Sequence, residues 1–188
     1  MAILKPMIKS FKEALALNPK FKFEIKNIFF LSSTRDNFKN QNEKDNFFNK
    51  WTQYYFEYCQ DSSFVYIKDN KILAYITCDP KEIQANSHQE QHLNYSLFKD
   101  QLTEYPAHLH INALPESRGQ GVGTQLIEHL CSYLQNRNIS GVHLVTGANA
   151  ENVRFYTKNN FSFQLQRKSN NTSVLFMGRK LLLEQQIK

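Results

Sequence analysis

Apolar residues recur along this 188-residue chain in two rhythms. Spacings of three and four set Phe48, Trp51, Tyr54, Tyr55 and Tyr58 on one face of residues 47–58. The same spacing sets Leu126, Ile127, Leu130, Cys131 and Leu134 on one face of residues 124–134. Both predict amphipathic helices. Residues 7–17 read as a helix or helix-like arm, stopped near Asn18-Pro19 because a residue before proline leaves the α region. An apolar helix starts over 25–31, and shorter helices are expected over 95–102 and 152–158. Strand rhythm appears at 64–67 and 72–76, joined by the polar turn Lys68-Asp69-Asn70-Lys71, which predicts a hairpin. Further strands are expected at 107–114, 142–145, 161–163 and 174–177. The polar stretches 35–45 and 81–92 read as surface loops able to line a cleft.

Hairpins surrounding two strand–helix units make an α/β fold with a mixed sheet. A chain of 188 residues, 41% hydrophobic and 13% aromatic, fits one domain over 1–188 with a sizeable core. The apolar runs are too short to span a membrane, and Met1-Ala2-Ile3-Leu4-Lys5-Pro6 lacks the apolar region of a secretory leader. Three scattered cysteines, Cys59, Cys78 and Cys131, have no CxxC spacing. That argues against a disulfide framework and against a metal site, and leads us to expect a reduced, cytoplasmic setting. The net charge of +6 admits a nucleic acid, a membrane surface or a polyanionic small ligand. The charges are dispersed and no nucleic-acid-binding signature appears, so neither nucleic acid nor membrane is an expected partner.

The densest chemistry lies in Arg118-Gly119-Gln120-Gly121-Val122-Gly123, between the strand at 107–114 and the helix at 124–134. Glycines admit close backbone approach, and a helix start presents unused N–H groups to an anion. The P-loop string GxxxxGK[ST] is absent. A dinucleotide fingerprint fails at Thr124, and no acidic residue ends the next strand. What remains is R-x-x-G-x-G, satisfied by Arg118, Gly121 and Gly123.

In this setting, with Pro115-Glu116 before it, the string resembles motif A of the GNAT N-acetyltransferases. Residues 149–161 resemble that family's next segment, with its Phe-Tyr pair at Phe155-Tyr156. Asn160 stands where the family often has glycine, a mild departure because asparagine tolerates positive φ. The entry Tyr105-Pro106-Ala107-His108 and the exit Leu114-Pro115-Glu116 are similar to a subgroup that includes the acetyltransferase-like domain attached to O-GlcNAcases. The resemblance is specific over 105–163.

It implies a single GNAT-like domain: a mixed central sheet of about six to seven strands, the fourth and fifth splayed, flanked by helices. It also implies an acetyl-CoA-dependent N-acetyltransferase acting on a primary amine of a small molecule or a protein, as a monomer or homodimer. The pyrophosphate would sit on backbone N–H groups of Gln120, Gly121, Val122, Gly123 and Thr124, with Gly119 in the turn and Arg118 either holding the loop or touching the ligand. Ala113, Leu114 and Pro115 would face the pantetheine arm. Asn149 and Asn152 would reach it from the other side, Asn152 being equally readable as a helix-start residue bonding its own backbone. Tyr156 matches the position that donates a proton to the CoA thiolate, and Phe155 should enter the core. For a general base, His108, His110 and Asn112 share one strand face. His108 lies nearest the family position, and a structural histidine is an equal reading. The alternative function is a non-catalytic acyl-CoA-binding or interaction module. Residues 25–48 and 80–93 are expected to shape the acceptor pocket.

Overall fold

Met7–Ser10, the front of the stretch whose spacing suggests a helix, is a strand (β1) in the computed structural model, which describes residues 5–33, 35–80, 95–169 and 172–182. Helical structure begins only at Phe11, in α1 (Phe11–Leu17). Ser10 decides the switch. Its Oγ accepts the Glu13 N–H (3.2 Å) while the Glu13 carboxylate accepts the Ser10 N–H (2.9 Å), a reciprocal capping box.

Seven strands form one mixed sheet in the order β1-β2-β3-β4-β5-β7-β6. The chain packs as two compact units, Met1–Cys78 with His110–Leu130, and Asp79–Leu109 with Cys131–Lys188.

In the first unit, β1 pairs antiparallel with β2 (Phe64–Lys68), and β2 with β3 (Lys71–Asp79). Asp69 (φ 51°) and Asn70 (φ 58°) are the two central residues of the turn, and positive φ at both is the two-residue hairpin geometry whose twist matches the strands. Helix α2 (Phe21–Ser32) outruns the expected 25–31 and buries Phe21, Ile25 and Ile28 on one stripe. Helix α3 (Gln41–Tyr58) begins inside the stretch read as a loop. The polar residues there are its cap and first turn: Asn40 Oδ1 accepts the Glu43 N–H (2.9 Å). Phe11, Ile25, Phe48, Val65, Ile72 and Leu114 meet in this unit's core.

Strand β4 (Ala107–Ala113) has residues 107–109 in the second unit and the rest in the first; it runs parallel to β5 (Gly141–Gly147), paired at Ala107 with Val142 and at His108 with His143. β7 (Thr172–Lys180) pairs antiparallel with β5 and with β6 (Phe163–Ser169). Tyr95–Gln101 is a 3-10 helix kinked at Phe98. Phe98, Leu102, Tyr105, Val174 and Phe176 form the core here. Helix α4 (Val122–Gln135), which belongs to the first unit up to Leu130, ends before Asn138, whose φ of 57° breaks the helix, and α5 of the second unit is Val153–Lys158. Asn160 takes φ 64°, the conformation expected where relatives carry glycine. Cys59, Cys78 and Cys131 are buried thiols. No helix among the described residues is long and apolar enough to cross a membrane. The loop expected at 81–92 lies outside the described residues.

Candidate functional site

The turn leading into the glycine loop is pinned to β3. Leu114 N–H donates to Leu73 O (2.8 Å). The buried Ser117 Oγ lies 3.1 Å from Leu73 O and 2.8 Å from Leu114 O, donating its proton to one of them. Pro115–Ser117 is a 3-10 turn with proline at its start, and Arg118 N–H donates to Pro115 O (3.2 Å). Ser117 is therefore the side chain that anchors the loop, a role the spacing of glycines does not reveal. Arg118 is exposed. Leu114 is buried, and both its backbone groups are engaged by Leu73 and Ser117. The Ala113 carbonyl accepts the Ser32 hydroxyl proton (3.5 Å) and the Pro115 carbonyl the Arg118 N–H (3.2 Å), so each of these two carbonyls keeps its second lone pair.

Gly119 (φ 76°) and Gly121 (φ 77°) both adopt conformations that favour glycine. A Cβ at Gly119 would meet nothing within 4 Å, so the outer side of the loop is open. The first helical hydrogen bond runs from Gln125 N–H to Gly121 O (3.0 Å). Among the described residues, the N–H groups of Val122, Gly123 and Thr124 make no hydrogen bond. They are the orphan donors of a fourteen-residue helix, at its positive dipole end.

Along β4 burial falls from buried at 107–109 to half-buried at 110–113, and the candidates part company. His108 is buried, with its ring 5.2 Å from that of His143. His110 is half-buried, set edge-on to Trp51 (5.9 Å, 83°) and Tyr55 (6.2 Å, 88°) of α3. Asn112 Nδ2 donates to Tyr75 Oη (2.8 Å). Burial pushes the Tyr75 hydroxyl well above the ordinary phenol range, against the opposing effect of that hydrogen bond.

In the second unit, Asn149 is exposed. Asn152 Oδ1 accepts the Thr146 hydroxyl proton (3.0 Å) and makes no capping bond to its own helix, so the capping alternative falls. Tyr156 is buried beside Phe155 (5.3 Å) and Phe161 (5.5 Å). Phe155, expected in the core, is only half-buried; the buried ring of the pair is Tyr156. Burial lifts the Tyr156 hydroxyl far above its usual value, keeping it protonated. His143, which strand spacing hides among apolar neighbours, stacks on Phe176 (4.8 Å, 13°), and its Nδ1–H donates to Tyr105 O (2.5 Å). Burial drives its pKa down to about 4 although hydrogen bonds to the Tyr105 and Ala107 backbone pull it up.

A model of the acetyltransferase (GNAT) family matches residues 27–161, well over half of the chain, taking in both the glycine loop and Tyr156. The chain belongs to the acetyltransferase (GNAT) family. Solved structures with the same fold include SsHAT, 18% identical over 94% of this chain and 98% of that one, with a TM-score of 0.71. PH1933 from Pyrococcus horikoshii OT3 is 15% identical over 95% and 100% of the two chains, with a TM-score of 0.67. The putative acetyltransferase yncA from Salmonella typhimurium, solved with its cofactor acetyl-CoA, is 14% identical over 95% of each chain, with a TM-score of 0.59. At these identities the likeness speaks to the fold. In this GNAT protein, then, Gly121 of the motif and Gly119 before it take positive φ, Gly123 lies in the first turn of α4, and strand β4 carries a buried His108 and a half-buried His110.

Proposed function

We propose that this protein is an acetyl-CoA-dependent N-acetyltransferase acting on a primary amine. The observation that carries the proposal is the loop at Gly119 and Gly121: two glycines at positive φ, an open outer side and three unused N–H groups, in a GNAT chain. Those groups suit a pyrophosphate, because a helix start offers donors and a favourable dipole to an anion. A relative of the same fold, yncA, was solved with acetyl-CoA.

When bound, acetyl-CoA supplies an acetyl group activated as a thioester: transfer to an amine forms a C–N bond, breaks the C–S bond and frees CoA as a thiolate, which takes its proton from water. Val122, Gly123 and Thr124 would hold the pyrophosphate, joined by Gly121, with Arg118 lending positive charge; the Gln120 N–H, expected to join them, already donates to Ser117 O (3.4 Å). Ala113 and Pro115 would offer the second lone pair of their carbonyls to the pantetheine amides, and Asn149 and Asn152 their side chains. His110 would take the proton that the amine gives up. His108 is a poor candidate for that role, because a ring buried against His143 is closed to a substrate nitrogen. Tyr156 would donate a hydrogen bond to the departing sulfur. Its raised pKa suits a donor that never loses its proton better than an acid that surrenders it outright. Three buried thiols fit the cytoplasmic setting we propose.

The test is calorimetric titration with acetyl-CoA, followed by colorimetric detection of free CoA across an amine panel. Saturable binding and thiol release that drops in a Tyr156→Phe variant support the reading. Absence of binding sinks it. Binding without thiol release on any amine replaces it with a binding module, as the similarity to the O-GlcNAcase-attached domains allows.

A further inference from the structure

We infer that the corner joining α1 to α2 docks on an anionic lipid surface, with Leu17 and Phe23 seated in the headgroup layer and Lys12, Lys20 and Lys22 meeting its charge. Docking of this kind is independent of the reaction proposed above.

Two exposed side chains mark the corner. Phe23 is 74% exposed and Leu17 65%. The core contacts of the two helices are made by other residues, Phe11 and Ala14 of α1 and Phe21, Ile25 and Ile28 of α2. In the sequence Leu17 and Phe23 stand among core residues of their own kind, and only the fold turns them to solvent. Covering them is favourable in proportion to the apolar area removed from water.

The corner can leave water without stranding a donor. Asn18 N–H donates to Ala14 O (2.9 Å), Lys20 N–H to Asn18 Oδ1 (3.1 Å) and Phe21 N–H to Asn18 O (3.0 Å). Lys22 N–H donates to Pro19 O (3.3 Å) and Phe23 N–H to Lys20 O (2.9 Å). Pro19 has no N–H. Every backbone donor from 18 to 23 is thus met inside the turn, and the cost that an orphaned N–H would add on entering a bilayer does not arise.

Charge selects the lipid. No acidic residue lies between Glu13 and Glu24, whereas Lys20 and Lys22 do. The two bounding carboxylates are turned to backbone donors, Glu13 to the Ser10 N–H (2.9 Å) and Glu24 to the Ile72 N–H (2.8 Å). Lys26 is paired with Asp45 (2.5 Å). Lys12 meets Asp61 at 3.5 Å, but both side chains are largely exposed, and such a pair is weak. Lys22 lies over the Phe56 ring (5.0 Å), which leaves its charge in place. Lysines beside outward Phe and Leu make an interfacial anchor, in which apolar insertion and attraction to anionic headgroups reinforce each other. A protein partner covers about twenty residues a side. The two apolar side chains here stand six positions apart across one turn, which suits penetration of a soft surface.

The full-length protein is sedimented with vesicles of phosphatidylcholine alone and of phosphatidylcholine with about one-third phosphatidylglycerol. Binding to the anionic vesicles should be at least about tenfold tighter than to the neutral ones, and should weaken in about 0.5 M salt. Leu17→Ser with Phe23→Ser should weaken it about tenfold. Lys20→Gln should weaken it about fivefold. Neither change should move the melting temperature, because exposed side chains contribute little to folding. Retention on polyglutamate resin is measured alongside. Retention there that the double variant loses, without vesicle binding, assigns the corner to an acidic polypeptide and overturns the inference. So do absence of vesicle binding, equal binding to both vesicles, and anionic binding that the double variant leaves intact.

Discussion

The ring of Tyr105 lies directly on the backbone of Gly178: a Cβ added there would sit 2.7 Å from Tyr105 Cε1 and 2.8 Å from Cδ1. Gly141, on the adjacent strand, is closed in the same way, with its Cβ position 2.5 Å from Glu104 O and 2.9 Å from Tyr105 Cδ1. Tyr105 thus caps β5 and β7 because both strands lack a side chain beneath it, and its carbonyl is thereby placed to receive the His143 proton. Gly178→Ala should cost about 1–3 kcal/mol through overpacking. Gly141→Ala should cost at least as much, since the backbone carbonyl of Glu104 cannot rotate aside. Urea midpoints measure both, and an unshifted midpoint for Gly178→Ala would contradict this packing.

His143 makes stability depend on pH. Its folded pKa is depressed from 6.5 to about 4, so the neutral ring belongs to the folded state. The associated stability is fully present above about pH 6.5 and is lost as pH falls through 4. At 1.36 kcal/mol per unit the loss amounts to about 3 kcal/mol. His129, lowered by burial beside Phe64 despite the opposing charge of Glu13, adds a slope of the same sign. The depressed carboxylates, such as Glu13, act lower, in the range where they gain protons. Urea denaturation at intervals between pH 7 and pH 4 should show the decline, and His143→Gln should flatten most of it. An equally steep decline in that variant would assign the effect elsewhere.

What the sequence made legible was local. A positive φ at Gly119, Gly121 and Asn160, a two-residue turn at Asp69-Asn70, and the apolar stripe of α4 are each dictated by a few neighbouring residues. β1 was hidden because four residues at the front of a helix-like spacing carry no signal of their own; their partner, β2, lies more than fifty residues away. The start of α3 looked like a loop because a cap and first turn share a loop's composition. Period-two alternation puts His108, His110 and Asn112 on one strand face, yet burial separates them, and their surroundings depend on Trp51, Tyr55 and His143 from distant elements. Ser117 and Tyr75 escaped notice for the same reason, since their importance lies in partners forty-four and thirty-seven positions away.

The Asn112–Tyr75 hydrogen bond supplies a third test. Tyr75 is 1% exposed, so its hydroxyl depends on Asn112 for a partner. Asn112→Leu strands that hydroxyl and should cost about 1–3 kcal/mol, whereas Tyr75→Phe removes the buried polar group and should cost less. In the double variant the penalty of Asn112→Leu should largely vanish, giving a coupling of about 1 kcal/mol in a thermodynamic cycle. Strict additivity would show that the contact contributes nothing. Because Asn112 follows His110 on the same face of β4, Asn112→Leu should also raise the amine KM without altering acetyl-CoA affinity.

Gly119→Ala and Gly121→Ala invert the pattern expected at Gly178. The added methyl at Gly119 meets nothing within 4 Å, and at Gly121 only the tip of Gln125, 4.0 Å away. No packing is disturbed, and the sole cost to folding is a non-glycine residue at φ near 76°, about 1–2 kcal/mol. In the function proposed above, however, the loop that carries this methyl is the one that receives the pyrophosphate. Each variant should therefore fold with a small loss in melting temperature yet bind acetyl-CoA about tenfold more weakly, a difference near 1.4 kcal/mol. Gly178→Ala should do the reverse, losing stability while the surviving folded protein binds the donor normally. Calorimetry alongside thermal melts separates the two. Undiminished donor affinity in both loop variants would mean that the anion is held elsewhere, whatever the family likeness of the loop.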